Sequence, residues 1–378
     1  MTIKQIRQTF PHIDTGRIYF NHAAIGPLSI PVKEKLQQYL EERSSGSIEN
    51  FGMLLEASSN AKRRLAMLLN AKKNRIAWTE NVSAGLNILA QGLQWNPGDR
   101  IIINDVEFPS NVYPFLNLEQ YGVEIDIVKS KNGKVDVEDY QKLITPKTKL
   151  ISISAVQFLS GYRADLKSLG AICKSKNIVF CVDAIQATGV IKIDVKEMNI
   201  DFLAGGSHKW LMSLQGLGYI YITPELMERI NQKYVGWLSV KDEWNLLDYK
   251  LELKENASRF HLGTNSVIGI FALAQSLELF EEYGIENIEK NNLSNTKYFI
   301  EKLSEEGFDP VLKGEDENHL AGITTIKIDK AEEVHKALTQ SKIDCAIREG
   351  KIRFSPHFYN TNEEIDSVVN KLVELTKK

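Results

Sequence analysis

The sequence predicts an α/β protein: a sheet covered by helices on both faces, followed by a smaller α+β domain. Three observations carry this. Short apolar runs rich in Ile, Val and Phe alternate with amphipathic stretches through the first two-thirds of the chain, as buried strands joined by helices do. From about Ser266 the texture changes to long helical patterns and then short strands. The length of 378 residues suits two domains at roughly 100–200 residues each. The expected division is an N-terminal segment over residues 1–30 packing near the functional site, a large domain over 31–260, and a small domain over 261–378.

Taken in order, Phe20-Asn-His-Ala-Ala-Ile-Gly-Pro27 is irregular, with Gly-Pro marking a turn. Pro31–Arg43 predicts a helix with its proline in the first turn. Strands are expected at Arg75–Trp78, Arg100–Asn104, Glu124–Lys129, Lys149–Ser154, Ile178–Asp183, Asp201–Ala204 and Gly218–Ile222. Helices are expected between them at Ala84–Gln94, Asn111–Tyr121, Val137–Leu143 and Leu166–Lys176. The second domain should hold helices Val267–Tyr283 and Asn287–Glu306. Strands Gly322–Ile328, Ile343–Ile347 and Ile352–Phe354 follow, then a last helix, Asn362–Thr376.

Composition narrows the function. With 43% hydrophobic and 25% charged residues and a net charge of −3, the chain has no overall basic field for a polyanion, which argues against nucleic acid as main partner. Its most apolar stretch, Val267–Ala274, is far short of the ~20 residues a membrane span needs. Three cysteines without a CxxC point to a reduced, cytoplasmic setting. No metal constellation is visible, and none of the seven histidines has HExxH spacing.

Parallel sheets bind ligands at the carboxyl ends of their strands, so the residues just after each strand carry the chemistry. In Asp201-Phe-Leu-Ala-Gly-Gly-Ser-His-Lys-Trp210 an apolar strand runs into Ser207, His208 and Lys209. Apolar neighbours would lower the pKa of Lys209, which suits a Schiff-base amine; a surface lysine in a turn is the alternative. Asp183 ends a fully apolar strand and could cap a helix, hold a metal or pair with a buried cation. After the strand at Arg75–Trp78, a polar turn opens a helix near Ser83–Gly85, and such an N-terminus suits a phosphate. GxxxxGK[ST] is absent and Gly216-Leu-Gly-Tyr219 does not complete GxGxxG, so nucleotide readings recede. Phe108, in Val106-Glu-Phe-Pro-Ser-Asn111, could stack on a flat ring or be core.

Together these segments resemble the pyridoxal-phosphate enzymes of fold type I, specifically the class V aminotransferases, which include cysteine desulfurases, isopenicillin-N epimerase-like proteins and kynureninases. The resemblance runs in the family's order from Tyr19-Phe-Asn-His-Ala-Ala24 to Arg353-Phe-Ser-Pro-His-Phe-Tyr-Asn360. Its most specific parts are Asp183-Ala-Ile-Gln186 and Gly206-Ser-His-Lys-Trp210, with Asp183 and Lys209 26 residues apart. It implies a large mixed-sheet α/β/α domain with a smaller C-terminal α+β domain, an amino-acid substrate and the cofactor pyridoxal 5'-phosphate.

Carried over by residue, the resemblance makes Lys209 the Schiff-base lysine and Cα proton shuttle, and Asp183 the partner of the pyridine nitrogen. Phe108 would stack on the ring, where many desulfurases place a histidine, and Gln186 would bond near the phenolic oxygen. Val82, Ser83, Ser207 and His208 would hold the phosphate, and Thr264 would reach the phosphate of the other subunit of a homodimer. Arg353 would take the substrate carboxylate, with His22 bordering the substrate.

Some positions depart from the desulfurase pattern. The nucleophilic-cysteine loop before the substrate arginine is missing. Cys345 falls within a strand pattern, eight residues before Arg353, and reads as a buried structural thiol. Gln157-Phe158 stands where desulfurases often carry an asparagine. The turn Glu80-Asn-Val-Ser-Ala-Gly85 and the ending Ile352–Thr361 are closer to the epimerase-like branch. The expectation is therefore an epimerase- or transaminase-like enzyme, with a cysteine desulfurase or C–S lyase as alternative and a catalytically idle scaffold as the alternative of another class.

Overall fold

A computed structural model of the chain describes residues 1–376. A two-residue strand, β1 (Ile18–Tyr19), lies in the N-terminal segment. The next seven, β2 (Ile76–Thr79), β3 (Arg100–Asn104), β4 (Glu124–Val128), β5 (Thr148–Ser154), β6 (Val179–Asp183), β7 (Phe202–Gly206) and β8 (Gly218–Ile222), form one sheet in the order β2-β8-β7-β6-β5-β3-β4. Neighbours run parallel except β8, which is antiparallel to both β2 and β7. Only the short loop 207–217 joins β7 to β8. A parallel return needs a dozen residues or more, usually a helix, so β8 must come back antiparallel.

The apolar runs supply both faces of the sheet. Ile102, Phe180, Val182, Leu203 and Tyr219 enter one core, while Ile101, Val179, Cys181, Phe202 and Ile220 enter the other. Successive residues point to opposite faces, so a strand covered on both sides must be apolar at every position.

The small domain contains β9 (Thr324–Lys327), β10 (Ile343–Asp344), β11 (Ala346–Arg348) and β12 (Lys351–Phe354). Three of these form an antiparallel sheet, β11-β12-β9, and β10 pairs in parallel with β1. Helices Ile285–Glu305, Ala331–Gln340 and Asn362–Thr376 cover it through Phe299, Leu303, Leu338, Ile365 and Leu372.

Two expectations change. The single strand Ile343–Ile347 is two strands that break at Cys345, where the chain leaves β1 and turns to β12. The helix Asn111–Tyr121 is instead a 3-10 turn Pro109–Asn111, a short helix Tyr113–Leu116 and a second 3-10 turn Asn117–Tyr121. Pro114 removes an amide donor from the expected helix, and Pro109 opens the 3-10 turn before it. Helix Val267–Tyr283 buries Ile270, Phe271 and Leu277 in the same core as Ala61 and Leu65. The N-terminal segment serves both domains, placing Ile6 and Phe10 in the large core and Phe20 in the small one. Among the described residues no helix is long and apolar enough to cross a membrane.

Candidate active site

The strand order reverses between β3 and β5, and the carboxyl ends of β3, β5, β6 and β7 converge there. Such a switch point opens a crevice. Lys209 enters it from the loop after β7. Ser207 ties that loop down, its hydroxyl lying 2.6 Å from the Leu214 carbonyl and 2.8 Å from that of Leu217. The N-terminal segment closes over the loop: the Gly26 amide donates to the His208 carbonyl at 2.7 Å, and a Cβ on Gly26 would sit 2.2 Å from the Lys209 carbonyl oxygen. Only glycine permits that approach.

The Lys209 amine has no hydrogen bond or ion pair among the described residues. Its Nζ lies 5.8 Å from the centroid of the Phe108 ring, which is 42% exposed although it follows a buried strand. Burial pushes the Lys209 pKa down, Asp183 partly offsets this, and Arg353 and Arg348 push it further down.

Asp183 ends β6, one strand from Lys209's own, and is 2% exposed. It accepts the Ile185 amide at 2.9 Å. Burial raises its pKa, the Ile185 amide draws it back, the nearby Glu107 raises it further and Lys209 lowers it. A buried carboxylate without a hydrogen-bonded cation suits a protonated ring nitrogen as its counter-charge.

Glu107 is the functional-region residue that sequence reasoning passed over. It is buried and accepts from Asn104 Nδ2 (2.5 Å), Asn111 Nδ2 (3.0 Å), the Ser154 amide (2.8 Å), the Ser154 hydroxyl and Gln157 Nε2 (3.1 Å). This network holds the ends of β3 and β5 together and fixes the stem of Phe108. The one available signal was an acid three residues beyond the end of β3, in the turn that carries Phe108.

Where a phosphate is expected, Asn81 caps helix Val82–Gly92 by accepting the Ala84 amide at 2.8 Å. Val82 and Ser83 are thereby the first residues of the helix, and the Ser83 hydroxyl donates to Ser110 at 2.9 Å. His208 is half-buried, and burial and the Lys209 charge push it down to about 4, so its ring is neutral. Ser207 does not fit its expected part: its hydroxyl is spent on the loop and the residue is fully buried. Thr264 is exposed and borders a groove of about 300 Å3 against Ala84 and Asn87 of the same helix.

Arg353 lies on β12 opposite Thr325 and Ala346, and is 2% exposed. It donates through Nη1 to the Phe158 carbonyl at 2.7 Å, while Nε and Nη2 have no partner. Burial, with Arg348 nearby, pushes it down to about 10. Gln186 and His22 hold their own chain together. Gln186 donates to the Ala23 carbonyl at 3.0 Å and accepts from Trp210 Nε1 at 2.7 Å. His22 is fully buried; Nδ1 donates to the Ser355 carbonyl (2.9 Å) and Nε2 accepts from the Tyr359 hydroxyl (2.7 Å). The structure thus leaves His22 no free ring atom for a substrate; it joins the N-terminal segment to the small domain.

Cys345 is buried and pushed up to about 12 by burial. Only Glu349 and Gly350, both at positive φ, separate β11 from β12, so no loop extends there. Among the described residues no cluster of His, Cys, Asp and Glu could hold a metal ion.

The amine, the buried carboxylate, the exposed aromatic ring and the helix N-terminus fit pyridoxal phosphate. The profile of the family "Aminotransferase class-V" matches residues 18–368. The chain is similar to "Uncharacterized aminotransferase YcbU" of Bacillus subtilis, 27% identical over 99% of this chain and 98% of that protein. It is also similar to a "Probable cysteine desulfurase" of Pyrococcus abyssi, 30% identical over 95% and 94%. Among solved structures it resembles a cysteine desulfurase from Thermococcus onnurineus, with TM-score 0.90, 25% identity, and coverage of 100% and 99%. With its profile matched over nearly the whole chain, this protein belongs to the class-V aminotransferase family of pyridoxal-phosphate-dependent enzymes.

Proposed function

We propose that this enzyme works at the Cα of an amino acid, with Lys209 as Schiff-base amine and proton carrier, in a transaminase- or epimerase-like reaction. The observation that carries this is the partnerless Lys209 amine, 5.8 Å from the centroid of the exposed Phe108 ring and within the field of the buried Asp183 carboxylate. Pyridoxal phosphate, when bound, supplies a sink for the electron pair left at Cα.

The chain's own residues do the rest. Lowering the Lys209 pKa raises the share of neutral amine near pH 8, and only that form can take a proton. Asp183 keeps a proton at the ring nitrogen, acting through a dry interior where charges interact strongly. Phe108 covers one ring face. Val82 and Ser83 at the helix N-terminus, with His208, bind the phosphate. The unpaired Nε and Nη2 of Arg353 receive the substrate carboxylate in a forked contact. Returning the proton elsewhere gives transamination or epimerisation; loss of a Cβ substituent gives elimination.

Elimination of sulfur is the second reading, favoured by the desulfurase names among the relatives. It would not pass through Cys345, whose thiol is buried and held neutral. We also propose a cytoplasmic homodimer. Thr264 is exposed near the phosphate-end helix, and Trp244, Leu247 and Tyr249 form an uncovered apolar stretch that a second copy would bury. The three cysteines are unpaired, which suits a reducing compartment.

The test is the absorption spectrum of the purified protein supplied with pyridoxal phosphate. A visible band, lost in Lys209→Ala and shifted by some member of an amino-acid panel, is the expected result. A colourless protein unresponsive to every amino acid would refute the enzyme reading and leave the idle scaffold.

A further inference from the structure

Beside Arg353, the small sheet carries a row of cations. Lys351 lies directly opposite Lys327 on β9 and Arg348 on β11. These three share the face of Arg353, two residues along, or roughly 7 Å at the rise of a strand. Ile326 and Ile352 take the opposite face into the small-domain core. Like charges directly opposite on neighbouring strands destabilise a sheet. Yet none of the three has a carboxylate partner among the described residues. Elsewhere the chain pairs such lysines, as in Lys131 with Asp139 at 2.7 Å.

Lys327 and Lys351 line a cleft of about 600 Å3 between the two domains, together with Lys134 and Lys313. Asp309 is the one carboxylate lining it, and Glu315 beside it is already paired with Lys134. The cleft wall includes Val106 and Leu159, next to the Phe108–Phe158 pair whose rings meet edge to face at 5.3 Å. It therefore adjoins the site where Arg353 meets Phe158. Its volume lies within the range of small-molecule pockets, which argues for a small anion over an acidic protein surface.

We propose that this cleft is the side-chain subsite of the active site, and that the substrate is an amino acid whose side chain ends in an anionic group. Arg353 holds the α-carboxylate while Lys351 and Lys327 hold the distal anion, with Arg348 adding to the local field. This rests on the Cα chemistry proposed above.

The experiment titrates the holoenzyme with matched pairs, following the visible band: L-glutamate against L-glutamine, L-aspartate against L-asparagine, and O-phospho-L-serine against L-serine. At least one anionic member should bind about tenfold or more tightly than its neutral match at low salt. The advantage should shrink in 0.5 M NaCl and collapse in a Lys327→Gln/Lys351→Gln double variant, with neutral-ligand binding unchanged and Tm no lower than that of the native protein. Equal binding within every pair, or a preference that survives the double substitution, overturns the proposal. So does retention of a polyglutamate peptide by the native protein, lost in the variant, without any small-anion preference. If neutral amino acids shift the band and anionic ones gain nothing, only the subsite fails. If no amino acid shifts it, the catalytic reading fails as well.

Discussion

Replacing Arg353 by methionine should make the protein more stable while removing its hold on an amino acid. The guanidinium is 2% exposed, has one hydrogen bond, to the Phe158 carbonyl, and leaves two donors unsatisfied. Its pKa falls from 12.5 to about 10, which corresponds to about 3 kcal/mol against the charged form. Losing the Phe158 bond returns about 1 kcal/mol, for a net gain of about 2 kcal/mol. At an unfolding entropy of about 2 cal/mol/K per residue, this raises Tm of the cofactor-free protein by roughly 2–3 °C. The folded pKa lies below the unfolded one, so the penalty is complete below about pH 10 and relieved only from there towards 12.5. The gain should therefore be constant between pH 6 and 9. Loss of the forked contact should weaken amino-acid binding about 30-fold or more. Calorimetry of the cofactor-free protein and titration of the visible band in the holoenzyme read the two effects. A Tm several degrees lower with binding intact would mean that Arg353 is an anchor for the small domain, and would refute the reasoning.

Lys62→Met should stabilise the fold near pH 6.5 by a few kcal/mol. The buried Lys62 amine, 3.1 Å from Ser258 Oγ and 3.4 Å from His261 Nε2, is pushed down to about 7 by burial and then by Lys254 and Lys73. The unfolded chain holds a proton there that the native chain lacks between about pH 7 and 10.5, so native stability rises across that window and the variant's advantage should fade. Denaturant melts at pH 6.5 and 10 check this, and an advantage equal at both would be the contrary result. Cys345→Ser should leave turnover of any sulfur-containing amino acid unchanged and cost about 1 kcal/mol of stability. Abolished sulfide release from L-cysteine would restore a catalytic role to this thiol.

Much of the architecture was legible in one dimension because a strand buried on both faces must be apolar at every position. Against Phe202-Leu-Ala204 or Val179-Phe-Cys-Val182, a lysine or aspartate just beyond the end stands out. The antiparallel return of β8 follows from the short loop 207–217. The directions of polar side chains were not legible. Ser207 was expected to face a phosphate and instead closes its own loop, and His22 spends both nitrogens on Ser355 and Tyr359, more than 330 residues away. Nothing in the sequence marked Glu107, because its donors Asn104, Asn111, Ser154 and Gln157 come from the ends of β3 and β5 and the loops beyond them, which meet only in the sheet.

The cationic row shows the same division. Lys327, Arg348 and Lys351 carry no motif, and only the pairing of three strands sets them abreast beside Arg353. The sequence by itself determined where the strands of the large sheet lie and which family the chain belongs to, because burial and local chain geometry act on neighbours along the chain. Tertiary structure alone decided which polar groups meet, which are spent on the backbone and which are left for a ligand. Those outcomes depend on distances between residues that the chain brings together only on folding.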